Sequence, residues 1–150
     1  MWQLNLPAYN FRIIKKNEKP FIFDDLRKKF VALTPEEWVR QHFIRFLINV
    51  KHYPASLIAI EKQLVINGLK KRCDAVVYSR NAEPLMIIEF KATTVSIAQQ
   101  TFDQAAVYNS KLKVDYFIIS NGLKHYCCRL DKNVLQYNFL DDIPDFDSLY

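Results

Sequence analysis

The chain has 150 residues, of which 50% are hydrophobic and 14% aromatic, and it carries a net charge of +5. This length fits one domain that buries roughly 70% of the surface of its unfolded chain, and the composition excludes a disordered protein. The basic charge permits a phosphate-bearing partner such as nucleic acid, but an ordinary charged surface explains it equally well.

The N-terminal region shows little periodicity. Residues 1–20 are mixed in character, contain two prolines and predict an extended arm. Residues 21–23 are aromatic or branched and predict a short strand, followed by a polar, basic turn over residues 24–29. The basic residues come in small groups among acidic ones, without a long basic tail.

The clearest helix begins after residue 34. Thr34 can accept a hydrogen bond as the N-cap, Pro35 suits the first helical position, and Glu37 has the spacing of a capping box. The helix is expected to end near residues 51–53, ahead of a proline. Apolar residues at three- and four-residue spacing predict its buried face, which is formed by Val39, Phe43, Phe46, Leu47 and Val50.

Three strands are predicted after this helix, over residues 57–66, 72–79 and 85–91. Asn67-Gly68 lies between the first two strands and is typical of a tight hairpin turn. The polar residues 80–83 separate the second strand from the third. Because short connections join antiparallel neighbours, these strands are expected to pair in sequence.

A second helix and further strands are predicted in the C-terminal half. The helix spans residues 95–112, and its apolar positions are Ile97, Phe102, Ala105 and Val107. The strands cover residues 114–120, 124–130 and 134–140, the last as an edge strand. Residues 141–150 are expected to be a peripheral tail. This order predicts one α/β domain over residues 1–150, with a mixed sheet flanked by helices.

Several catalytic and cofactor-binding motifs are excluded. With only two glycines, the chain holds neither a P-loop nor a dinucleotide-binding fingerprint. It has no GxSxG or HExxH sequence, and its three histidines are scattered. The cysteines form no CxxC pair, and Cys127-Cys128 is expected in the core. No signal peptide or apolar run of about 20 residues is apparent, so the cytoplasm is the expected compartment, without a membrane partner.

Acidic residues on two neighbouring strands form the most informative pattern. Glu89 follows four apolar residues, and Lys91 lies two residues later, on the same face of the strand. Asp74 comes one strand earlier, where a hairpin about residues 80–83 would bring it beside Glu89. Two adjacent carboxylates repel unless a cation joins them, and Mg²⁺ suits such a pair.

A plainer interpretation of the same residues stays open. An acidic-x-lysine triplet occurs about once or twice by chance in a chain of this length, so Glu89-x-Lys91 alone also fits a salt-bridged strand edge. The helical spacing adds a third acid, because Glu36 lies three residues before Val39 and seven before Phe43, on the expected buried face.

Four short motifs resemble those of a known family, both in their residues and in their order along the chain. Arg72-Cys73-Asp74-Ala75-Val76-Val77-Tyr78, followed by Ile88-Glu89-Phe90-Lys91-Ala92, resembles the PD-(D/E)XK nuclease core. Thr34-Pro35-Glu36-Glu37-Trp38-Val39-Arg40-Gln41 with Gln104-x-x-x-Tyr108 is similar to the N-terminal nuclease domain of type I restriction enzyme R subunits, in a short stand-alone form. The resemblance covers residues 21–122, with Cys73 in place of the name-giving proline.

The resemblance implies a restriction-endonuclease-like fold with a metal site. Asp74 and Glu89 would ligate Mg²⁺, or alternatively Mn²⁺, with help from the Phe90 carbonyl. Lys91 would orient the attacking water or steady the charge on the phosphate. Glu36 would be the helical acid of the site, although Glu37 stays open for that role.

Further residues would support the site and the nucleic acid. Gln104 and Tyr108 lie one helical turn apart and match a motif beside the site, but a packing pair between helix and sheet explains them equally well. Lys70, Lys71 and Arg72 would hold the DNA backbone without reading its sequence.

The expected function is hydrolysis of DNA phosphodiester bonds in restriction-modification. The alternative is a catalytically silent subunit that keeps the fold and binds nucleic acid or a partner, and RNA stays open as the substrate. R subunits couple this domain to an ATP-driven motor, for which 150 residues leave no room. A separate motor or specificity subunit is therefore an expected partner, and the oligomeric state stays open.

Overall fold

The structure, a computed structural model, describes residues 2–150 as two sheets and two α-helices. The smaller sheet is antiparallel and contains β1 (Ile13–Lys16), β2 (Lys19–Asp24) and β3 (Lys29–Ala32). The larger sheet has six strands in chain order, which are β4 (Ile58–Ile66), β5 (Leu69–Tyr78), β6 (Pro84–Phe90), β7 (Tyr116–Ser120), β8 (His125–Asp131) and β9 (Gln136–Leu140). Helix α1 (Pro35–Asn49) precedes β4, and α2 (Gln99–Leu112) connects β6 to β7.

The six-stranded sheet is mixed because α2 is a crossover connection. Strands β6 and β7 run parallel on either side of it, whereas the other neighbouring strands of this sheet pair antiparallel. A parallel pair needs such a long connection, while short turns suffice for hairpins. The predicted α/β class is therefore confirmed.

Each helix packs on one face of the large sheet and forms an apolar cluster with strand residues of that face. Successive residues of a central strand belong to different clusters. Val39 and Phe43 of α1 belong to one cluster with Ile88 of β6, and Phe102 of α2 belongs to the other with Ile87. Successive strand residues point to opposite faces, so a strand covered on both faces needs a continuous apolar run. This helix–sheet–helix arrangement is consistent with a restriction-endonuclease-like fold.

Helix α1 begins as the sequence predicts. Thr34 Oγ1 accepts a hydrogen bond from the Glu37 N–H at 3.1 Å, and Pro35 occupies the first turn. The expected burial of Val50 is wrong, because the helix ends at Asn49 and Val50 is 44% exposed. Phe46, also assigned to the buried face, is half-buried.

Helix α2 begins later than predicted and is rotated relative to the expected face. It starts at Gln99, and its N-cap residue, Ala98, has no side chain that could accept a capping hydrogen bond. Ile97 therefore lies outside the helix. Val107, expected to be buried, is 59% exposed, whereas Asn109 and Leu112 are buried.

The N-terminal region is more ordered than an extended arm. Residues 13–16 form β1, which pairs with β2 across a turn where Asn17 and Glu18 both have positive φ. Strand β3 was not predicted. The residues of β1 are all exposed, so this strand lacks the apolar alternation that marks a half-buried strand.

Residues 141–150 are packed against the core instead of lying at the periphery. Ile143, Phe146 and Leu149 are buried with the α1 cluster. The Tyr53 hydroxyl donates to the Pro144 carbonyl at 3.0 Å, and the Phe146 N–H donates to the carbonyl of Lys51. Three-residue spacing places the apolar side chains of this acidic segment on one side.

In the part of the chain that the structure describes, neither helix has the length and apolar character needed to span a bilayer.

Candidate active site

Asp74 and Glu89 lie opposite each other where β5 and β6 separate. The last paired residues are Ala75 and Ile88, and the same register places Asp74 across from Glu89. There the Phe90 N–H donates to Asp74 Oδ2 at 2.8 Å, so a side chain takes the place of a main-chain acceptor. The hairpin thus brings together the two carboxylates that the sequence singled out.

The surroundings of Asp74 disfavour its negative charge. Burial raises the pKa of this carboxyl above its usual range, and the negative charges of Glu89 and Glu36 act in the same direction. The Phe90 N–H and the positive charge of Lys91 oppose the rise in pKa without cancelling it. A cation at this position would offset the repulsion among the acids.

Glu89 has a lysine beside it. Lys71 Nζ lies 2.5 Å from Glu89 Oε1, although the atoms lack hydrogen-bond geometry, so the contact is an ion pair. The side chains of Lys71 and Glu89 are only 20% and 16% exposed. The Lys71 ammonium also lies 5.5 Å from the centre of the Tyr108 ring. The Tyr108 hydroxyl donates to the Lys70 carbonyl at 2.5 Å, which ties α2 to β5.

A polar cleft of about 120 Å³ opens beside Asp74, between the start of α1 and the sheet. Its lining residues are Thr34, Glu36, Glu37, Arg40, Glu61, Asp74 and Phe90. Glu37 is neutralised by Arg40 and by Arg27, whose Nη2 lies 2.8 Å away. Glu36 is exposed rather than on the buried face of α1, and it makes no ion pair within residues 2–150. Of the two helical acids, Glu36 is therefore the one without a resident cation.

The donor atoms available here suit a hard cation. Within residues 2–150, no three His, Cys, Asp or Glu side chains come close enough to hold an ion together. Mg²⁺ does not need such a cage, because it usually binds one or two carboxylates and keeps several waters. Asp74 and Glu89 supply that number of carboxylates, so the donor set suits Mg²⁺, with Asp74 facing the cleft and Glu89 Oε1 buried against Lys71.

The basic residues before Asp74 point in different directions. Lys70 and Arg72 are exposed and pair across the hairpin with Val65 and Gln63, which are also exposed. Lys71 alternates with them and faces Glu89 instead. The structure therefore divides the three residues that the sequence grouped together.

Lys91 lies close enough to Asp74 for its charge to act on that carboxyl, and Tyr108 lies beside Lys71, the partner of Glu89. Lys91 follows the last residue of β6 and is half-buried, and its N–H donates to the Ser120 carbonyl at 2.8 Å. Gln104 is exposed on α2, one turn before the half-buried Tyr108. Tyr108 packs α2 onto the sheet through its hydrogen bond to β5, whereas the role of Gln104 and Tyr108 beside a metal site stays a prediction.

An arginine network along one wall of the cleft was not predicted from the sequence. Arg40 is buried and contacts Asp24 at 3.2 Å as well as Glu37, and Arg27 bridges the same two acids. Burial lowers the pKa of Arg40 to about 10, although the charge of Asp24 opposes this. The available signal was its position next to Val39 on the inward side of α1. The network joins β2, α1 and β4, since Arg27 also lies 3.3 Å from Glu61.

The remaining titratable candidates are structural. Cys73, Cys127 and Cys128 are free thiols buried in the core, and burial raises the pKa of Cys127 and of Cys128 to about 12. His42 contacts the Trp38 carbonyl at 2.8 Å, and His125 contacts Ser120 Oγ at 2.6 Å. The expected core position of Cys127-Cys128 is confirmed.

The mixed six-stranded sheet with a helix on each face is consistent with the restriction-endonuclease-like class of fold. The family model of the type I restriction enzyme R protein N terminus matches residues 35–144, which is most of the chain. The chain belongs to this family. A search of curated proteins found no match. The matched region includes both helices and all six strands of the large sheet, whereas β1, β2 and β3 lie outside it.

Proposed function

We propose that this domain is a metal-dependent nuclease of the PD-(D/E)XK type, acting on DNA. The observation that carries the proposal is the pair Asp74 and Glu89. These partly buried carboxylates follow directly on the last paired residues of two central strands, and the Glu89 charge helps to raise the pKa of Asp74. Lys91 lies two residues after Glu89. Two neighbouring, partly buried carboxylates lower the stability of a fold unless a cation binds between them and offsets their repulsion. Membership of a restriction enzyme family supports the same conclusion.

Asp74, Glu89 and the Phe90 carbonyl would hold Mg²⁺ or Mn²⁺, with Glu36 as the nearest further acid. A divalent ion bound there would polarise the phosphoryl group and lower the pKa of a bound water. Asp74 is held in position by the Phe90 N–H, so its other oxygen is available as a ligand. Lys91 would stabilise the negative charge that develops on the phosphate.

The protruding end of the β4–β5 hairpin would hold the DNA backbone. Lys70 and Arg72 are exposed on one face of it, close in sequence to Asp74. Contacts of this kind go to phosphates, so they position the duplex without reading its bases. DNA is the proposed substrate because the family belongs to restriction enzymes, and partners of the same kind, a motor or specificity subunit, are proposed with it.

A catalytically silent binding subunit is the second candidate. The specific observation in its favour is the ion pair between Lys71 and Glu89, which occupies one of the two carboxylates. A fold that keeps such a pair permanently would bind DNA through its basic residues without cleaving it.

Cleavage of supercoiled and linear plasmid with Mg²⁺ or Mn²⁺ separates the two candidates. Wild type, Asp74→Ala and Lys91→Ala are compared, and Glu83→Ala serves as the control because this exposed acid lies at the opposite end of the β5–β6 hairpin. If the domain is a nuclease, wild type and Glu83→Ala cleave the plasmid, whereas Asp74→Ala and Lys91→Ala do not. DNA binding without cleavage by wild type supports the silent subunit, and cutting by all variants overturns both candidates.

A further inference from the structure

The Lys71–Glu89 ion pair lies within the proposed metal site. Both side chains are mostly buried, and Lys71 Nζ is 2.5 Å from Glu89 Oε1. We infer that Lys71 is the resident counter-ion of Glu89, which a divalent metal must displace before it can bind. This inference rests on the proposed function and assigns Lys71 a positioning role, in place of the DNA contact that the sequence indicated.

The strand register explains why Lys71, and not a neighbour, takes this position. Lys71 pairs across the hairpin with the buried Leu64, so it lies on the inward face of β5. Lys70 pairs with Val65, which is 60% exposed, and points to the other side. Lys70 therefore offers a matched control of equal charge, one residue away.

Tyr108 provides a place for the displaced ammonium group. Its ring centre lies 5.5 Å from Lys71 Nζ in the paired state, within the range of a cation–π contact. The ring is fixed by its hydroxyl, which donates to the Lys70 carbonyl on the same strand. Lys71 could then release Glu89 by a side-chain rotation, without breaking the β4–β5 ladder.

Such competition lowers the affinity for metal. A site that is open only in a fraction of molecules binds its ligand more weakly by that fraction. Removing the charge of Lys71 leaves Glu89 mostly buried and unpaired, and a divalent cation then becomes its best available partner. Loss of the lysine charge should therefore tighten metal binding, whereas the loss of a supporting residue would weaken it.

The test is direct titration of the full chain with Mn²⁺ and no DNA, following free Mn²⁺ by its paramagnetic resonance signal. Lys71→Met and Lys71→Gln are expected to lower the dissociation constant about tenfold relative to wild type. Lys70→Gln is expected to leave it unchanged. Two uncharged replacements are used so that a folding defect in one variant, checked by thermal melting, does not end the test.

The outcomes separate this inference from the proposed function. If Asp74→Asn abolishes Mn²⁺ binding but the Lys71 variants bind as wild type does, or more weakly, the competition is overturned and the metal site stands. If Mn²⁺ binding survives both Asp74→Asn and Glu89→Gln, or is absent from wild type and Lys71 variants alike, both proposals are overturned.

Discussion

Asp74 is a residue whose position weakens the fold at neutral pH. Burial and two neighbouring acids raise its pKa, with burial the largest cause. A carboxyl with a raised pKa in the folded state contributes stability below its unfolded pKa of about 4, and that contribution is lost as the pH rises through the folded value. At pH 7, without metal, the charged form is therefore a cost.

We expect Asp74→Asn to raise Tm at pH 7 in the absence of metal, because asparagine removes the charge and can still accept from the Phe90 N–H. The gain should shrink as the pH falls towards 4, where wild-type Asp74 becomes protonated. Thermal melts of both proteins across this pH range provide the measurement. A gain in Tm that does not depend on pH would show that charge is not the cause.

Arg40 neutralises two acids, Asp24 and Glu37, in the wall of the cleft and just beneath it. Its replacement by methionine would leave Asp24 and Glu37 without one of their two arginine partners. We expect Arg40→Met to lower the free energy of unfolding by about 3–5 kcal/mol, the usual effect of breaking a buried pair. Urea denaturation measures the change.

Arg45→Met is the control for this loss. Arg45 pairs with Asp25 on the surface, where the two side chains are 32% and 51% exposed. Its removal should change the free energy of unfolding by less than about 1 kcal/mol. Equal effects of the two substitutions would mean that the buried network does not hold β2 to α1 in the way described.

The position of a single residue in the candidate site could be predicted only where a short turn between two strands determined which residues lie opposite each other. The short 80–83 turn was enough to place Asp74 beside Glu89. The partner of Lys71 was not predictable, because it depends on which of three consecutive basic residues faces inward. Glu36 was assigned to the buried side of α1 by spacing, yet at the first turn of a helix this side already opens into the cleft.

Elements with strong local signals could be predicted, and those defined by tertiary contacts could not. Helix α1 has a cap and an N-terminal proline, and the β4–β5 hairpin has Asn67-Gly68, whose φ values are both positive. Strand β1 and the start of α2 have neither a cap nor an apolar repeat. Their limits depend on the neighbouring strand or helix, which a single sequence does not reveal.

The two glycines allow a matched test of turn packing. Both have positive φ, which costs other residues about 1 kcal/mol or more. A Cβ atom at Gly122 would also lie 2.6 Å from Leu4 Cδ2 and 3.0 Å from Val39 Cγ2, whereas nothing lies within 4 Å at Gly68. We expect Gly122→Ala to destabilise the protein more than Gly68→Ala does, as measured by urea denaturation. An equal loss would mean that Leu4 moves aside freely.

At the scale of the molecule, segments at both ends of the chain pack onto the family domain. The three-stranded sheet lies outside the family match and is joined to α1 by Asp24, Arg27 and Arg40. Residues 141–150 bury Ile143, Phe146 and Leu149. The sequence predicts an extended arm over residues 1–20 and a peripheral tail over the acidic residues 141–150, because the contacts that pack these segments come from distant parts of the chain.

The charge distribution predicts how DNA binding responds to salt. Each phosphate contact that is lost lowers the slope of log K against log salt by about 1. We expect Lys70→Gln and Arg72→Gln each to have this effect, measured by fluorescence anisotropy at several salt concentrations. Lys132→Gln is the control, because Lys132 lies in the turn between β8 and β9 and, like Arg72 with Glu61, has a carboxylate partner in Asp115. A slope that changes only in Lys132→Gln would place the DNA elsewhere.

The most direct test of the metal-dependent nuclease site combines activity and stability in one variant. Asp74→Asn should lose DNA cleavage with Mg²⁺ by at least about a hundredfold, while the same sample melts no lower than wild type at pH 7. Loss of activity in a protein that is as stable as wild type would identify Asp74 as a functional residue rather than a structural one. Cleavage at the wild-type rate by this variant would contradict the account.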